Sequence, residues 1–98
     1  MRRAVQVMVT GRVQGVGFRA WTERQAVSRG LDGWVRNRRD RRVEAVIAGD
    51  AETVDAMLAA LRTGPPGALG TEVTTRPHDA VVARGFEIVP TASLVSCS

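Results

Sequence analysis

The segment Gly11-Arg12-Val13-Gln14-Gly15-Val16-Gly17-Phe18-Arg19 carries the residue types that could do chemistry. Glycine at 11, 15 and 17 lets a backbone turn tightly and point successive N–H groups to one side, which makes a nest for an anion. From Phe18 to Arg29 the residues suit a helix. The nest would then stand at a helix N-terminus, whose unpaired donors and dipole also favour negative charge. Arg19, in the first turn, can fold over a bound phosphate and give it two parallel hydrogen bonds. No Gly-Lys-Ser/Thr follows, so the segment is not a nucleotide P-loop.

A second candidate stands at the end of Gly33-Trp34-Val35-Arg36-Asn37. A strand, a helix and a second strand joined as a βαβ crossover place the two strands parallel. Their C-terminal ends then share one rim of the sheet, where the glycine loop leaves the first strand and Asn37 ends the second. Asn37 has the parity of Val35, so its carboxamide is aimed over the nest. Taken alone, Asn37 could equally begin a hairpin turn.

The elements that must position these residues follow from periodicity. Val5, Val7 and Val9 alternate with Gln6, Met8 and Thr10, as a half-buried strand does. Phe18, Thr22, Ala26 and Arg29 share one face of the first helix, which Gly30-Leu31 ends. Leu31 to Asn37 and the alternating Val43, Ala45 and Ile47 predict two strands joined as a hairpin around Arg38 to Arg41. Asp50 caps a helix whose stripe is Val54, Met57, Leu58 and Leu61, and Gly64-Pro65-Pro66-Gly67 stops it. A weaker strand is expected at about Thr71 to Arg76. A short one follows at Phe86 to Val89, with Phe86 and Ile88 facing inward. The order β-α-β-β-α-β plus a short last strand predicts an α+β ferredoxin-like sandwich, two helices on one face of a mostly antiparallel sheet. One domain is expected over 1–98, with a loose tail from about 90 to 98.

Composition narrows the classes. The chain has 98 residues and is 44% hydrophobic, which suits one small packed core. No apolar run approaches a membrane span, and the basic start runs into a strand pattern rather than a signal-peptide block. One cysteine, Cys97, leaves neither an internal disulfide nor a cysteine-cluster metal site. All 14 basic residues are arginine, against 10 acidic ones, for a net charge of +4. That suits an anionic ligand, and codon bias would produce the same composition.

The segments Gly11 to Arg19, Gly33 to Asn37, Val43-Glu44 and Gly64-Pro65-Pro66-Gly67-Ala68 together closely resemble the signatures of the acylphosphatase family, over residues 4 to 89. The resemblance implies a small metal-free hydrolase, without cofactor, that cleaves the carboxyl–phosphate bond of acyl phosphates. It implies that Arg19 binds the phosphoryl group and that Asn37 positions the attacking water. The N–H groups of Gln14, Gly15, Val16, Gly17, Phe18 and Arg19, with the Arg19 guanidinium, would hold the phosphate oxygens. Partners would be the acyl phosphate and inorganic phosphate, for a cytoplasmic monomer with no membrane association.

Other residues have plainer readings. Trp21 and Trp34 suit packing, and His78, beside Pro77, stands without a cluster that would make it a ligand or base. Arg36, Arg38, Arg39, Arg41 and Arg42 crowd around the hairpin, either as a solvated turn partnered by Asp40 or as a steering field for anions. RNA binding is the competing reading. It would need aromatics on the open sheet face, and Gln6, Met8, Thr10, Glu44, Val46 and Ala48 supply none. Three features depart from the family pattern. Arg41 stands where glycine usually follows Asp40, Gly17 fills a variable position and would loosen the cradle, and the tail outruns the family's usual end.

Overall fold

The computed structural model describes residues 1–91. Its elements are β1 (Arg2–Arg12), α1 (Phe18–Ser28), β2 (Asp32–Asn37), β3 (Val43–Asp50), α2 (Ala51–Thr63), β4 (Leu69–Pro77) and β5 (Phe86–Ile88). The strands form one sheet in the order β4-β1-β3-β2-β5. Every pairing is antiparallel except β2 with β5. Two helices on a mixed five-stranded sheet give the ferredoxin-like arrangement expected from the sequence. The central β3 runs against both β1 and β2, so β1 and β2 point the same way and end on one rim.

Alternation explains the core. Val5, Val7 and Val9 of β1, Val35 of β2, and Val43, Ala45 and Ile47 of β3 are buried together. Phe18 and Ala26 of α1 and Val54, Met57, Leu58 and Leu61 of α2 pack side by side onto them in one core. Asp50 caps α2 by accepting from the Glu52 N–H at 3.3 Å. At the end of α1, the Leu31 N–H donates to the Ala26 carbonyl and the Gly30 N–H to that of Val27, a Schellman closure. The helix stops one residue before Arg29, which caps it and stays half-buried rather than joining the core face.

Three expectations need correction. Burial in β3 does not follow its alternating residue types: all its residues from Val43 to Gly49 are buried, on both faces of the sheet. Its outer face is flanked at the paired positions by the longer side chains of Gln6, Met8, Trp34 and Arg36. β4 is longer than expected, because pairing with β1 carries residues that have little apolar periodicity of their own. Phe86 is buried as expected, whereas Ile88 is 39% exposed. Ile88 shares Phe86's side of β5, but there it borders a cavity at the rim rather than the packed core. Cys97 and all of the expected tail except Pro90 and Thr91 lie outside the described residues.

Candidate active site

The loop from Val13 to Gly17 joins β1 to α1 at the rim where β2 also ends. Gly17 is the N-cap of α1, with φ 75° and no side-chain cap. The left-handed region favours glycine, so this family-variable position holds the residue its backbone requires. The Val13 N–H donates to the Gly11 carbonyl and that of Trp21 to the Gly17 carbonyl, at 3.0 Å each. Among the described residues, no N–H from Gln14 through Ala20 makes a well-formed hydrogen bond to a protein acceptor. A row of donors without good protein acceptors is costly unless water or a ligand meets it.

The two helices handle their N-termini in opposite ways. α2 has an aspartate cap and Glu52 in its first turn, as the dipole favours. α1 has neither a side-chain cap nor an acidic residue there, and carries Arg19 instead. A cation at the positive end of a helix is unfavourable by itself and becomes favourable when an anion sits between them. Arg19 is half-buried and has no carboxylate partner among the described residues.

One cavity of about 250 Å³ gathers Val13, Gln14, Gly15, Gly17, Phe18, Arg19, Ala20, Asn37 and Ile88. All the sequence-derived candidates therefore line a single space except Val16. The Val16 side chain packs against the core and lies near Gly67. Asn37 is the last residue of β2, half-buried, with its carboxamide unbonded among the described residues. Ile88 is the lining residue that sequence reasoning assigned elsewhere. Its parity with Phe86 gave the correct side, and only the parallel pairing with Val35 shows that this side reaches the rim.

Gln14 has a further contact. Its Nε2 donates to the Arg38 carbonyl at 2.8 Å and to the Arg42 carbonyl at 3.0 Å. The turn it meets is closed by Arg41 N–H to Arg38 carbonyl and Arg38 N–H to Arg42 carbonyl, with Arg41 at φ 73°. That is a three-residue hairpin loop ending in a left-handed residue, the position that glycine normally fills. Arginine at 41 thus keeps the hairpin conformation.

The arginine cluster divides. Arg36 and Arg38 reach the Glu44 carboxylate at 2.9 and 3.1 Å, and Arg38 and Arg42 reach Asp40 at 3.2 and 2.6 Å. Arg39 and Arg41 have no carboxylate partner among the described residues. The Asp40 carboxyl is held well below its ordinary range, chiefly by hydrogen bonds from Arg42 and then Arg38. On the outer sheet face, where no aromatic was expected, the structure places Trp34, with the Arg36 guanidinium 4.8 Å from its ring centroid. His78 lines a different cavity, with Trp34 and the residues from 81 to 87.

The fold and site together define a small α/β-sandwich protein with a cavity at one rim lined by the glycine loop, Arg19 and Asn37. The sequence model of the acylphosphatase family matches residues 5–88. An acylphosphatase of Rhizorhabdus wittichii is 50% identical over 90 residues, covering 92% of this chain and 91% of that one. One from Bradyrhizobium diazoefficiens is 57% identical over 76 residues, covering 76% and 77%. The structure of an acylphosphatase from Coxiella burnetii superimposes with a TM-score of 0.85 at 30% identity, over 90% of this chain and 93% of that one. The chain belongs to the acylphosphatase family, hydrolases acting on acyl phosphates.

Proposed function

We propose that this chain hydrolyses the carboxyl–phosphate bond of acyl phosphates in the cavity between the glycine loop and Asn37. The observation that carries this reading is the row of N–H groups from Gln14 to Ala20 that meet no well-formed protein acceptor among the described residues, with Arg19 beside it at a helix start without a side-chain cap. The N–H groups and the Arg19 guanidinium hold the oxygens of the phosphoryl group. The Asn37 carboxamide oxygen accepts a hydrogen bond from water and orients it in line with the departing carboxylate. The water oxygen bonds to phosphorus, the phosphorus–carboxylate oxygen bond breaks, and the carboxylate leaves with the electron pair. The water's proton passes to a phosphate oxygen.

A carboxylate is a good leaving group and phosphoryl transfer is loose, so positioning and charge stabilisation are the main requirements. Arg39 and Arg41, the cluster's cations without a carboxylate partner among the described residues, add a field that draws anions toward the rim. The expectations of a metal-independent reaction and of a cytoplasmic monomer go with this reading.

Hydrolysis of benzoyl phosphate by the purified chain in EDTA, with competitive inhibition by inorganic phosphate, tests it. Saturable turnover with phosphate inhibition is the expected result. A well-folded chain without turnover in EDTA or with added divalent cations overturns the hydrolase reading. Turnover only with added metal overturns its metal independence.

A further inference from the structure

A phosphoryl group and a water can react only if the elements holding them keep a fixed separation, and here they belong to different strands. The cradle follows β1 and Asn37 ends β2, with β3 between them in the sheet, so no direct ladder of main-chain hydrogen bonds joins β1 to β2. The Gln14 side chain spans that gap. Both hydrogens of its amide are used, one on the Arg38 carbonyl and one on that of Arg42. Arg38 is covalently next to Asn37.

The turn does not depend on Gln14 to close. Each of the two carbonyls already accepts from within the hairpin, Arg38 from the Arg41 N–H at 3.1 Å and Arg42 from the Arg38 N–H at 2.9 Å. What Gln14 adds is the tie between the hairpin and the loop. Resting on the hydrolase reading above, we infer that Gln14 is a positioning residue whose side chain fixes the register between the phosphate cradle and the water-orienting Asn37. Its main-chain N–H serves the cradle and its side chain serves the water.

The test compares Gln14→Met and Gln14→Glu with the wild-type chain, using benzoyl phosphate turnover, inhibition by inorganic phosphate and thermal unfolding. Methionine keeps the length and loses both donors. We expect kcat to fall by roughly 10–100-fold, since a displacement of about 1 Å can cost that much, while phosphate inhibition changes little. Glutamate presents an acceptor-only carboxylate to two carbonyl oxygens. Protonation gives it one donor again. Relative to wild type at the same pH, Gln14→Glu should therefore recover kcat as pH falls toward about 5, and Gln14→Met should not.

Wild-type kcat in Gln14→Met overturns the inference, as does a fall in kcat that comes with equal loss of phosphate inhibition. Lower thermal stability in both variants with unchanged kcat per folded molecule also overturns it. If Gln14→Met does not fold, the pH recovery of Gln14→Glu decides alone: a flat ratio to wild type defeats the proposal. A folded but inactive wild type defeats the hydrolase reading itself, which separates the two failures.

Discussion

The Arg38 guanidinium lies 3.1 Å from the Glu44 carboxylate, so the residue whose carbonyl receives Gln14 is tied by its side chain to the centre of the sheet. Glu44 is 4% exposed and also accepts hydrogen bonds from Gln6 at 2.6 Å and Arg36 at 3.0 Å. Burial opposes its charge. The donors from Gln6, Arg36 and Arg38 outweigh that and hold the carboxyl below its ordinary value of 4.5.

That arrangement predicts a pH-dependent contribution to stability. The folded pKa is depressed, so the stabilisation is fully present above the unfolded value and is lost as pH falls through the folded one. Glu44→Gln should cost about 1.5–3 kcal/mol near neutrality, the range for hydrogen bonds to a charged group. The difference from wild type should shrink below the ordinary carboxylate range. Urea unfolding of both chains from about pH 7 down to about pH 3 measures it. A constant difference across that range would mean that the arginines do not act on Glu44 through its charge.

Much of this fold was legible because its signals were local. Val5, Val7 and Val9 alternate, Val54 to Leu61 repeat with helical period, and Gly30-Leu31 ends a helix by a known closure. The meeting of Arg19 and Asn37 at one rim was legible too, since strand parity and the crossover rule place them there and both line one cavity, whereas the roles expected of them came from the family resemblance. What escaped depended on non-local pairing. Ile88 looks like core until β5 is seen to pair with the end of β2. The burial of Glu44 is invisible in a Val-Glu-Ala-Val alternation, because it comes from Gln6, Arg36 and Arg38 closing over it from neighbouring strands and the turn. The side chain of Gln14 gave no sign at all, since its partners are main-chain carbonyls 24 and 28 residues away.

Arg41 is the one residue other than glycine with positive φ among the described residues, at 73°. An L side chain in that region costs about 1 kcal/mol, and glycine gives part of that back in unfolded-state entropy. Arg41→Gly should therefore stabilise the chain by roughly 0.5–1 kcal/mol, and Arg41→Val should destabilise it. Thermal unfolding of the three proteins reads this directly. Equal stability of the glycine and valine variants would contradict the strained turn.

Arg19 and Arg24 stand on the same helix, and only Arg19 lines the cavity. Arg19→Ala should remove inhibition by inorganic phosphate and lower kcat/KM by about two to three decades, the cost of losing a charge-assisted, two-pronged contact. Arg24→Ala, an exposed position, should stay within about twofold of wild type, since it changes only a distant surface charge. Salt titration of kcat/KM guards against a purely long-range effect, because distant charges are screened and a direct contact is much less so. Comparable losses in both variants would mean that net charge, rather than a cradle, binds the substrate.

The role proposed for Asn37 is separable from that proposed for Arg19. Removing its carboxamide leaves the row of loop donors and the guanidinium intact, so Asn37→Ala should still be inhibited by phosphate while turnover falls by roughly two or more decades from lost orientation of the water. Asn37→Asp is sharper, because it keeps the size and changes the charge. A general base would work at least as well as a carboxylate, and its activity would rise with pH through the carboxyl's titration. An orienting group beside a phosphate predicts the reverse: the added negative charge repels the substrate, and turnover fails above the carboxyl's pKa. The carboxamide itself does not titrate, so the wild-type chain should show no limb of its pH profile that disappears in either variant. Turnover and phosphate inhibition for the three chains across about pH 5–8, a window bracketing neutrality, decide between the roles. An Asn37→Asp chain with wild-type turnover near neutrality would show that this residue serves the proton rather than the position of the water.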